Sequence, residues 1–422
     1  MILDVVMYVL FAILAIGALL PSYWTWRMVI YYSRHTRVTP PILDPCPQAA
    51  VILCLRGADP SLDACLNGLL NQDYPRYRVE IVVDHREDSA WHKVQEILAR
   101  GVRSNVEVQV SVLEKHCPTC SLKACAQLQV VERLGDELDV VVLIDADSIP
   151  AADWLRALVL PLADPSVGAT SGIRWFAPVD CGWGSLIRYV FNAGSYPQMF
   201  AFDHAWGGSV AIRADVFRRS SLKSRWCRAL CEDSAITGPL RELGLKLVFV
   251  PAATNINTES INFQASLRFI QRQLLCVRLD HVDWPVLLAY NLFNATAVVA
   301  LLAIAAVGIG VERWDWFAVA VGLLVTFSAT LHLALMTAEV IIRRNHRLRG
   351  LNSPAIVWTF RMIPAFIYTQ FVCMKFLWRA HFLKQVAWRG INYAIRGPGD
   401  ISLEKYEAYQ PQPEQAPDHS AV

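Results

Sequence analysis

Two aspartates separated by one residue directly follow a short apolar segment, residues 140–144. The carboxylates of Asp145 and Asp147 can point toward one site at the start of a loop. Carboxylate oxygens suit a hard divalent cation such as Mg²⁺ or Mn²⁺, which completes its coordination shell with phosphate oxygens. The spacing therefore predicts a metal site that holds a diphosphate. The alternative is an ordinary Asp-rich turn, because Ser148 and Pro150 follow.

The elements that must position this pair are short β-rich runs that alternate with helical patterns. Such alternation predicts an α/β fold with a mainly parallel sheet covered on both faces. In such sheets ligands bind beyond the carboxyl ends of the strands, and Arg56 and Asp84 also follow predicted strands. The predicted strands are residues 50–55, 79–83, 106–112 and 140–144, and the predicted helices between them are residues 62–70, 90–98 and 122–134.

The composition indicates that the chain contacts lipid. It has 422 residues, enough for two or three domain-sized units. Hydrophobic residues make up 54% and charged residues 18%, which is more apolar surface than a soluble core needs. The net charge of +2 excludes a broadly cationic nucleic-acid binder, so no nucleic-acid partner is expected. The eleven scattered cysteines are interpreted as mostly reduced thiols facing a cytosol.

Apolar runs of membrane-spanning length flank the predicted sheet domain. The first covers residues 5–20 and ends at Arg27 without the charge pattern of a cleaved signal, so it predicts a retained anchor. Residues 285–311 and 316–342 predict a helical hairpin, and a cluster of arginines follows at residues 343–349. By the positive-inside rule, this cluster and the chain after Arg27 lie in the cytoplasm.

The last apolar stretch, residues 355–377, is interrupted by Arg361 and Pro364 and followed by further basic residues. A full crossing would place those charges outside, so we predict a broken or re-entrant segment near the cytoplasmic interface. A simple spanning helix is the alternative. The tail from Gly397 is polar, and the Gln, Pro and Glu-rich residues 410–417 predict disorder.

The order and spacing of several motifs resemble membrane-bound glycosyltransferases of family 2, in particular the ceramide glucosyltransferase-like (family 21-like) branch. The resemblance covers residues 49–279 and the arrangement of the flanking helices. No P-loop and no Rossmann glycine motif is present in the sequence. The motifs are V-E-I-V-V-D ending at Asp84, Leu122-Lys123, L-I-D-A-D ending at Asp147, Trp206-Gly207-Gly208-Ser209, Cys231-Glu232-Asp233, and W-R-G-I-N-Y from Trp388 to Tyr393.

The resemblance implies a GT-A-type glycosyltransferase domain inserted between membrane segments of a multi-pass protein, in a bacterial inner membrane, with the catalytic domain cytoplasmic. The implied parts are an N-terminal transmembrane anchor (1–30), the catalytic domain (47–255), an interfacial helix region (256–283), a transmembrane hairpin with a third membrane segment (284–378), and a cytoplasmic or interfacial tail (379–422).

The activity that the resemblance implies is inverting, metal-dependent transfer of a sugar from a nucleotide-sugar to a lipid acceptor. The donor is expected to be a UDP-sugar such as UDP-glucose, and the cofactor Mg²⁺ or Mn²⁺. Two alternatives stay open. One is a processive polysaccharide synthase of the cellulose or hyaluronan synthase type, and the other is a catalytically degenerate membrane scaffold.

The resemblance also implies roles for individual residues. Asp84 contacts the uracil or ribose end of the donor, and Lys123 lies close to the donor. Asp145 lies near the nucleotide and shares the metal with Asp147. The other implied substrate-binding residues are Gly207, Gly208, Glu232, Arg272 and Gln273.

Asp233 is the candidate catalytic residue. Inversion at the anomeric carbon needs a base on the face opposite the leaving diphosphate, and a carboxylate within hydrogen-bond reach can accept the proton of the acceptor hydroxyl. The pair Glu232-Asp233 is predicted to open a helix over residues 234–243. Without catalysis, an acidic pair at that place would only favour the helix dipole.

The sequence departs from the processive relatives, which carry Q-x-x-R-W on an interfacial helix. The corresponding residues 269–278 offer Gln271, Arg272, Gln273 and Arg278, but no Trp is available there to stack on an acceptor. Arg272 is predicted to neutralise the departing diphosphate, and the alternative is an arginine that snorkels at the interface.

Residues 181–202 combine many large apolar side chains with few charges. We predict an amphipathic segment that packs against the bilayer boundary beside residues 271–278, with Trp183 and Phe191 facing lipid. An ordinary core helix has the same spacing and is the alternative.

Overall fold

The computed structural model describes residues 2–35, 41–134, 138–351, 353 and 359–410. The strands in this part of the chain are β1 (Ala49–Leu55), β2 (Tyr77–Val83), β3 (Val106–Val112), β4 (Val140–Ile144), β5 (Val167–Ser171), β6 (Arg174–Phe176), β7 (Ser209–Arg213), β8 (Lys246–Phe249), β9 (Asn255–Asn257), β10 (Gln385–Trp388), β11 (Ile391–Gly397) and β12 (Asp400–Leu403). The helices are α1 (Ile2–Arg34), α2 (Leu62–Leu70), α3 (Ser89–Leu98), α4 (Leu122–Arg133), α5 (Trp154–Val159), α6 (Trp183–Phe202), α7 (Ala214–Arg219), α8 (Leu222–Trp226), α9 (Thr237–Glu242), α10 (Phe263–Asp280), α11 (Trp284–Gly310), α12 (Trp314–Leu348) and α13 (Met362–Phe382).

Seven strands form the central sheet in the order β3-β2-β1-β4-β7-β5-β8. β7 runs antiparallel to both of its neighbours, and the other neighbouring strands are parallel. The predicted α/β fold with a mainly parallel sheet is therefore confirmed, and the four strands predicted from the sequence are all present. Two smaller sheets, β6-β9 and β10-β11-β12, lie beside it.

The side chains of β1 show why the sheet is covered on both faces. Ala50 and Ile52 belong to an apolar cluster with α4, whereas Val51 and Leu53 belong to a second cluster with α2, α3 and α5. All five residues of β4 are buried. A strand buried on both faces requires such a near-continuous apolar run. Asp145 is the first residue that can reach a polar surface where β4 ends.

Three of the described helices, α1, α11 and α12, are long and apolar enough to cross a membrane. At one end of this bundle, Asp4 Oδ1 lies 2.7 Å from Arg313 Nη2 in the turn between α11 and α12. Near the opposite end of α1, the Tyr31 hydroxyl donates to the carbonyl oxygen of Phe249 at 2.8 Å. The bundle therefore carries the sheet domain at one end, which agrees with the predicted N-terminal helix and hairpin.

α13 contains most of the last predicted apolar stretch, of which residues 355–358 lie outside the described residues. Hydrogen bonds near its two ends join it to neighbouring segments. Arg361 Nη1 donates to the carbonyl of Cys181 at 3.2 Å, and the Arg278 guanidinium donates to the carbonyl of Ala380. One face of α13 packs on α6 and α10, and the other exposes apolar side chains such as Phe371. The broken or re-entrant segment stays a prediction, with a simple spanning helix as its alternative.

The prediction for residues 181–202 is wrong in part. Phe191 is only 7% exposed, and its ring packs at right angles to that of Phe269 on α10, with centroids 6.3 Å apart. Phe191 therefore does not face lipid, and most of α6 is an internal helix. Trp183, in its first turn, is 42% exposed. The predicted position of this segment beside α10 agrees with the structure.

Three local features refine the sequence expectations. The predicted helix over residues 234–243 is shorter and begins at Thr237, so Glu232 and Asp233 lie in the turn before it. The polar tail contains part of β11 and all of β12, and residues 411–417 of the predicted disordered stretch lie outside the described residues. Cys231 and Cys276 form a disulfide, whereas the other nine cysteines are free.

Candidate active site

A cavity of about 280 Å³ opens at the carboxyl ends of β1, β2 and β4. Arg56 after β1, Asp84 after β2, and Asp145 and Asp147 after β4 all line it, as expected for ligand-binding residues of a parallel sheet. The other predicted site residues on its wall are Lys123, Glu232, Asp233, Arg272 and Gln273.

Lys123 bridges two acidic residues in this cavity. Its Nζ lies 2.6 Å from Asp145 Oδ1 and 2.8 Å from Glu232 Oε1. The side chain of Ser121 caps the first turn of α4, which carries Lys123. Glu232 is 1% exposed, so its charge depends on this partner. The contact joins the end of β4 to the turn that contains Asp233.

Arg174, the first residue of β6, lies between the two aspartates. Its Nη2 donates to Asp145 Oδ2 at 3.0 Å and to Asp147 Oδ1 at 2.9 Å. Its Nη1 lies 2.8 Å from Asp147 Oδ2, and its guanidinium lies 4.9 Å from the ring centroid of Trp206. Both carboxylates therefore converge on one cationic group, as the predicted metal site requires.

Burial and neighbouring charges set the ionisation of these carboxylates. Burial raises the pKa of Asp147 from 3.8 to about 6, although Arg174 opposes this shift. Burial also acts on Asp145, but the charges of Lys123 and Arg174 outweigh it and lower the pKa of this carboxyl. For Asp233, burial dominates over the lowering effect of Lys123 and raises the pKa.

Gly207 and Gly208 allow the loop before β7 to approach the acidic residues closely. The backbone N–H of Gly207 donates to Asp233 Oδ2 at 2.8 Å. A Cβ at Gly207 would lie 2.7 Å from Glu232 Oε1, and one at Gly208 would lie 2.8 Å from Asp145 Oδ2. These two predicted substrate-binding residues therefore lie behind the cavity wall, where they position the carboxylates.

Arg272 on α10 and Trp388 on β10 meet at the cavity wall. The guanidinium of Arg272 lies 5.6 Å from the ring centroid of Trp388. Arg272 is 8% exposed, and burial lowers its pKa to about 10. It is therefore an interior cation of the cavity and not a snorkelling residue. Residues 269–278 contain no Trp, as the sequence indicates, and the tryptophan beside Arg272 comes from β10.

The cavity continues from the acidic residues into a groove among α6, α10 and α11. Asn291 on α11 and Gln198 on α6 form a reciprocal amide pair in this groove: Asn291 Nδ2 donates to Gln198 Oε1 at 2.9 Å. α11 is a candidate membrane-spanning helix, so one cavity connects the acidic centre with a helix of that kind. The apolar residues around the amide pair are Met199, Phe202, Leu274, Val277, Trp284 and Leu287.

The donor set of Asp145 and Asp147 fits a hard divalent cation. Their oxygens are of the type that Mg²⁺ and Mn²⁺ prefer. The guanidinium of Arg174 demonstrates that a positive group can contact both carboxylates at once. The residues present at this site therefore fit the predicted metal.

Asp84, His85 and Asp88 form a second group whose ligand atoms lie within 4.8 Å of one another. Asp88 has structural partners, because it caps α3 and accepts the N–H of Gly57 at 3.0 Å. Asp84 is ion-paired with Arg56. These partners make this group a weaker candidate metal site than the carboxylates after β4.

Arg174 and Trp388 are among the site residues that were not predicted. The sequence holds one signal for Arg174, a single charge inside the apolar stretch G-I-R-W-F-A. Trp388 belongs to the W-R-G-I-N-Y motif, but no local pattern indicates that it meets Arg272. Contacts between residues so distant in the chain depend on the tertiary fold.

The family model described as Glycosyl transferase family 21 matches residues 7–401. The chain belongs to glycosyl transferase family 21. The match extends from the first membrane helix into β12, so it includes the membrane segments as well as the sheet domain. The resemblance stated from the motifs is therefore confirmed. None of the curated proteins matches this family 21 sequence.

Several solved structures align with this family 21 protein. The mannosyltransferase PcManGT from Pyrobaculum calidifontis, in complex with GDP-Man and Mn²⁺, is 18% identical, with 78% of this chain and 98% of that chain covered and a TM-score of 0.48. S. aureus TarS is 13% identical, with 85% and 100% covered and a TM-score of 0.34. Glucosyl-3-phosphoglycerate synthase from Mycobacterium tuberculosis, in complex with Mn²⁺ and UDP-Glc, is 13% identical, with 58% and 82% covered and a TM-score of 0.35.

Membership of family 21 identifies the protein as a nucleotide-sugar glycosyltransferase. The observed sheet and the family agree with the predicted GT-A-type fold, which is confirmed. Three candidate spanning helices agree with a membrane protein.

Proposed function

We propose that this family 21 protein transfers a sugar, with inversion, from a UDP-sugar to a lipid acceptor at the cytoplasmic face of a membrane. The observation that carries the proposal is the single cavity that joins Asp145, Asp147 and Asp233 to a groove bounded by α11. A water-soluble acceptor would not need an apolar groove beside a membrane-spanning helix.

In this proposal the diphosphate of the donor lies where β4 ends and α4 begins. Asp145 and Asp147 would hold Mg²⁺ or Mn²⁺, which supplies charge neutralisation for the leaving diphosphate when it is bound. Arg174 then exchanges its two carboxylate partners for phosphate oxygens. Lys123 and Arg272 line the same cavity and add positive charge around the diphosphate.

Asp233 acts as the general base. It accepts the proton of the acceptor hydroxyl while the hydroxyl oxygen forms a bond to the anomeric carbon and the bond from that carbon to the diphosphate breaks. The backbone N–H groups of Gly207 and Ser234 donate to its two oxygens at 2.8 and 2.6 Å and orient the carboxylate. The products are a glycosylated lipid and UDP.

The groove between α6, α10 and α11 holds the acceptor. Its apolar wall suits the lipid part, and the Gln198–Asn291 pair offers amide donors and acceptors to a headgroup. The arginines at residues 343–349 lie in the last turns of α12 and directly after it, at the end of the bundle that carries the sheet domain. They support a cytoplasmic position for that domain.

A labelled donor tests this proposal. Membranes that contain the protein are incubated with UDP-[¹⁴C]glucose or another labelled UDP-hexose, and the products are partitioned between organic solvent, water and polymer. If label enters the organic phase only when the protein is present, the result supports the proposal. Label in a high-mass polymer would indicate a processive synthase, and normal UDP binding without hydrolysis or transfer would indicate a non-catalytic scaffold.

A further inference from the structure

The segment after β12, residues 404–410, crosses the carboxyl ends of β1 and β2. The ring of Tyr406 stacks on that of His116, with centroids 3.6 Å apart. The ring of Tyr409 lies on Gly57, where a Cβ would come within 2.4 Å of Tyr409 Cζ. The segment is therefore packed closely on the part of the cavity that contains Asp84.

The backbone of this segment pairs with Arg56 and Asp84. Arg56 Nη2 donates to the carbonyl oxygen of Glu407 at 2.7 Å, and the N–H of Tyr409 donates to Asp84 Oδ2 at 3.1 Å. Arg56 and Asp84 are also ion-paired with each other. Arg56 thus donates a hydrogen bond to a carbonyl of the tail, and Asp84 beside it accepts one from an N–H of the tail.

Asp84 retains an unused acceptor at this place. It is 5% exposed, and its Oδ1 has no hydrogen-bond partner among the described residues. A buried carboxylate oxygen without a partner is costly, and a ligand that donates to it would remove that cost. The tail therefore forms hydrogen bonds with only some of the donors and acceptors of this subsite, and Asp84 Oδ1 remains without one.

The tail presents one carbonyl and one N–H from two different peptide groups to Arg56 and Asp84. The lactam edge of a nucleobase presents the same two types of group. Uracil and guanine both carry a ring N–H beside a carbonyl, whereas adenine and cytosine do not. Proteins read bases by hydrogen bonds to this edge. A donor with uracil or guanine can therefore make the same two hydrogen bonds as Glu407 and Tyr409.

The family resemblance already implies that Asp84 contacts the uracil or ribose end of the donor, and a lactam edge fits the donor and acceptor that Arg56 and Asp84 offer. We infer that residues 404–410 occupy this subsite until the donor displaces them. The inference rests on the proposed function in that the ligand is a nucleotide. An internal occupant lowers the apparent affinity for the nucleotide by the fraction of molecules in which the subsite is free.

Two truncations test the displacement. One chain ends at Leu403 and lacks the segment, and the matched control ends at Gln410 and keeps it. UDP, GDP, ADP and CDP are titrated into each by calorimetry in the presence of Mn²⁺. We expect UDP or GDP to bind the shorter chain at least about threefold more tightly than the control and the full chain, with ADP and CDP weaker throughout.

A point variant of the full chain repeats the test without a deletion. Tyr409→Pro removes the backbone N–H that donates to Asp84, and Gln410→Pro is the matched control. We expect tighter binding of UDP or GDP by Tyr409→Pro only.

Proteolysis detects displacement directly. Trypsin cleavage after Lys405 releases residues 406–422, which contain no further Lys or Arg. UDP or GDP should accelerate this release but not cleavage after Arg103.

The possible results separate the inference from the proposed function. Unchanged or weaker UDP and GDP binding after removal of the segment would overturn the displacement. Equal affinity for ADP would overturn recognition of a lactam edge. If none of the four nucleotides bound any variant, the proposed nucleotide donor would itself be contradicted, and the inference would be overturned with it.

Discussion

Arg174 and Asp147 form a two-point ion pair, with Nη1 2.8 Å from Oδ2 and Nη2 2.9 Å from Oδ1. The same guanidinium also reaches Asp145. The side chains of Arg174 and Asp147 are nearly buried, at 10% and 9% exposure. Removal of one partner from a buried pair leaves an uncompensated charge, so this arginine stabilises the site whenever no other cation is bound.

Arg174→Met is expected to lower the free energy of unfolding by about 3–5 kcal/mol in EDTA, because two carboxylates lose their partner while the apolar stem is retained. Mn²⁺ at a concentration one hundred times its Kd should restore about 2.7 kcal/mol of the lost free energy of unfolding. Thermal unfolding in EDTA and in Mn²⁺ measures both effects. Arg213→Met, which removes the pair with Asp215, is the control and should show no recovery specific to the metal. At the same Mn²⁺ concentration the wild type should gain less, because Arg174 competes with the metal for both carboxylates. Equal stabilisation of the two proteins at that concentration would contradict this competition.

Asp233→Asn is expected to leave the affinity for UDP nearly unchanged and to lower turnover by about a hundredfold or more, the usual scale for the loss of a general base. Calorimetry with UDP and transfer rates at saturating donor separate the two quantities. Asp215→Asn, a carboxylate outside the cavity, should change neither. A collapse of UDP affinity with turnover preserved would show that Asp233 binds the donor instead.

Lys123→Met is expected to move the acidic limb of the pH–rate profile to higher pH. Burial raises the pKa of Asp233 above 3.8, and the nearby charge of Lys123 lowers it. Without that charge the carboxylate keeps its proton to a higher pH, and only the deprotonated form can act as the base. The profile of kcat/KM from about pH 4 to 9 measures the shift. An unchanged or lower midpoint would exclude Asp233 as the group that titrates.

Asn291→Leu is expected to raise the KM for the lipid acceptor by about tenfold and to leave hydrolysis of the UDP-sugar unchanged. The substitution removes one amide of the Gln198–Asn291 pair and leaves the other without its partner in an apolar groove. Asn294→Leu makes the same change on α11 at a position that does not line the cavity. Parallel loss of hydrolysis and transfer in Asn291→Leu would show a structural role only.

Four of the seven strands of the central sheet could be predicted because they are short and rich in β-branched apolar residues, as β4 is. The polar residues that follow these strands could be placed together because parallel strands bring their carboxyl ends to one edge of the sheet. Asp84, Asp145 and Asp147 all line one cavity as expected.

The remaining features depend on tertiary contacts that no local pattern contains. The spacing of apolar residues in α6 is the same for an interfacial and an internal helix, so only its packing on Phe269 reveals that Phe191 is buried. Arg174 lies on a strand of three residues, too short for a periodic signal. The tail that covers Asp84 follows the sheet domain by well over one hundred residues. No pattern in its own sequence indicates that it packs against Asp84.

The lipid that gains a sugar is the most direct test of the account. Lipids are extracted from a host that lacks this protein, from the same host expressing the wild type, and from one expressing Asp233→Asn at equal abundance, and are compared by mass spectrometry. We expect a lipid whose mass increases by one hexose in the wild type alone. A wild-type extract without any new glycolipid, together with sugar from the donor in a water-soluble or polymeric product, would contradict it.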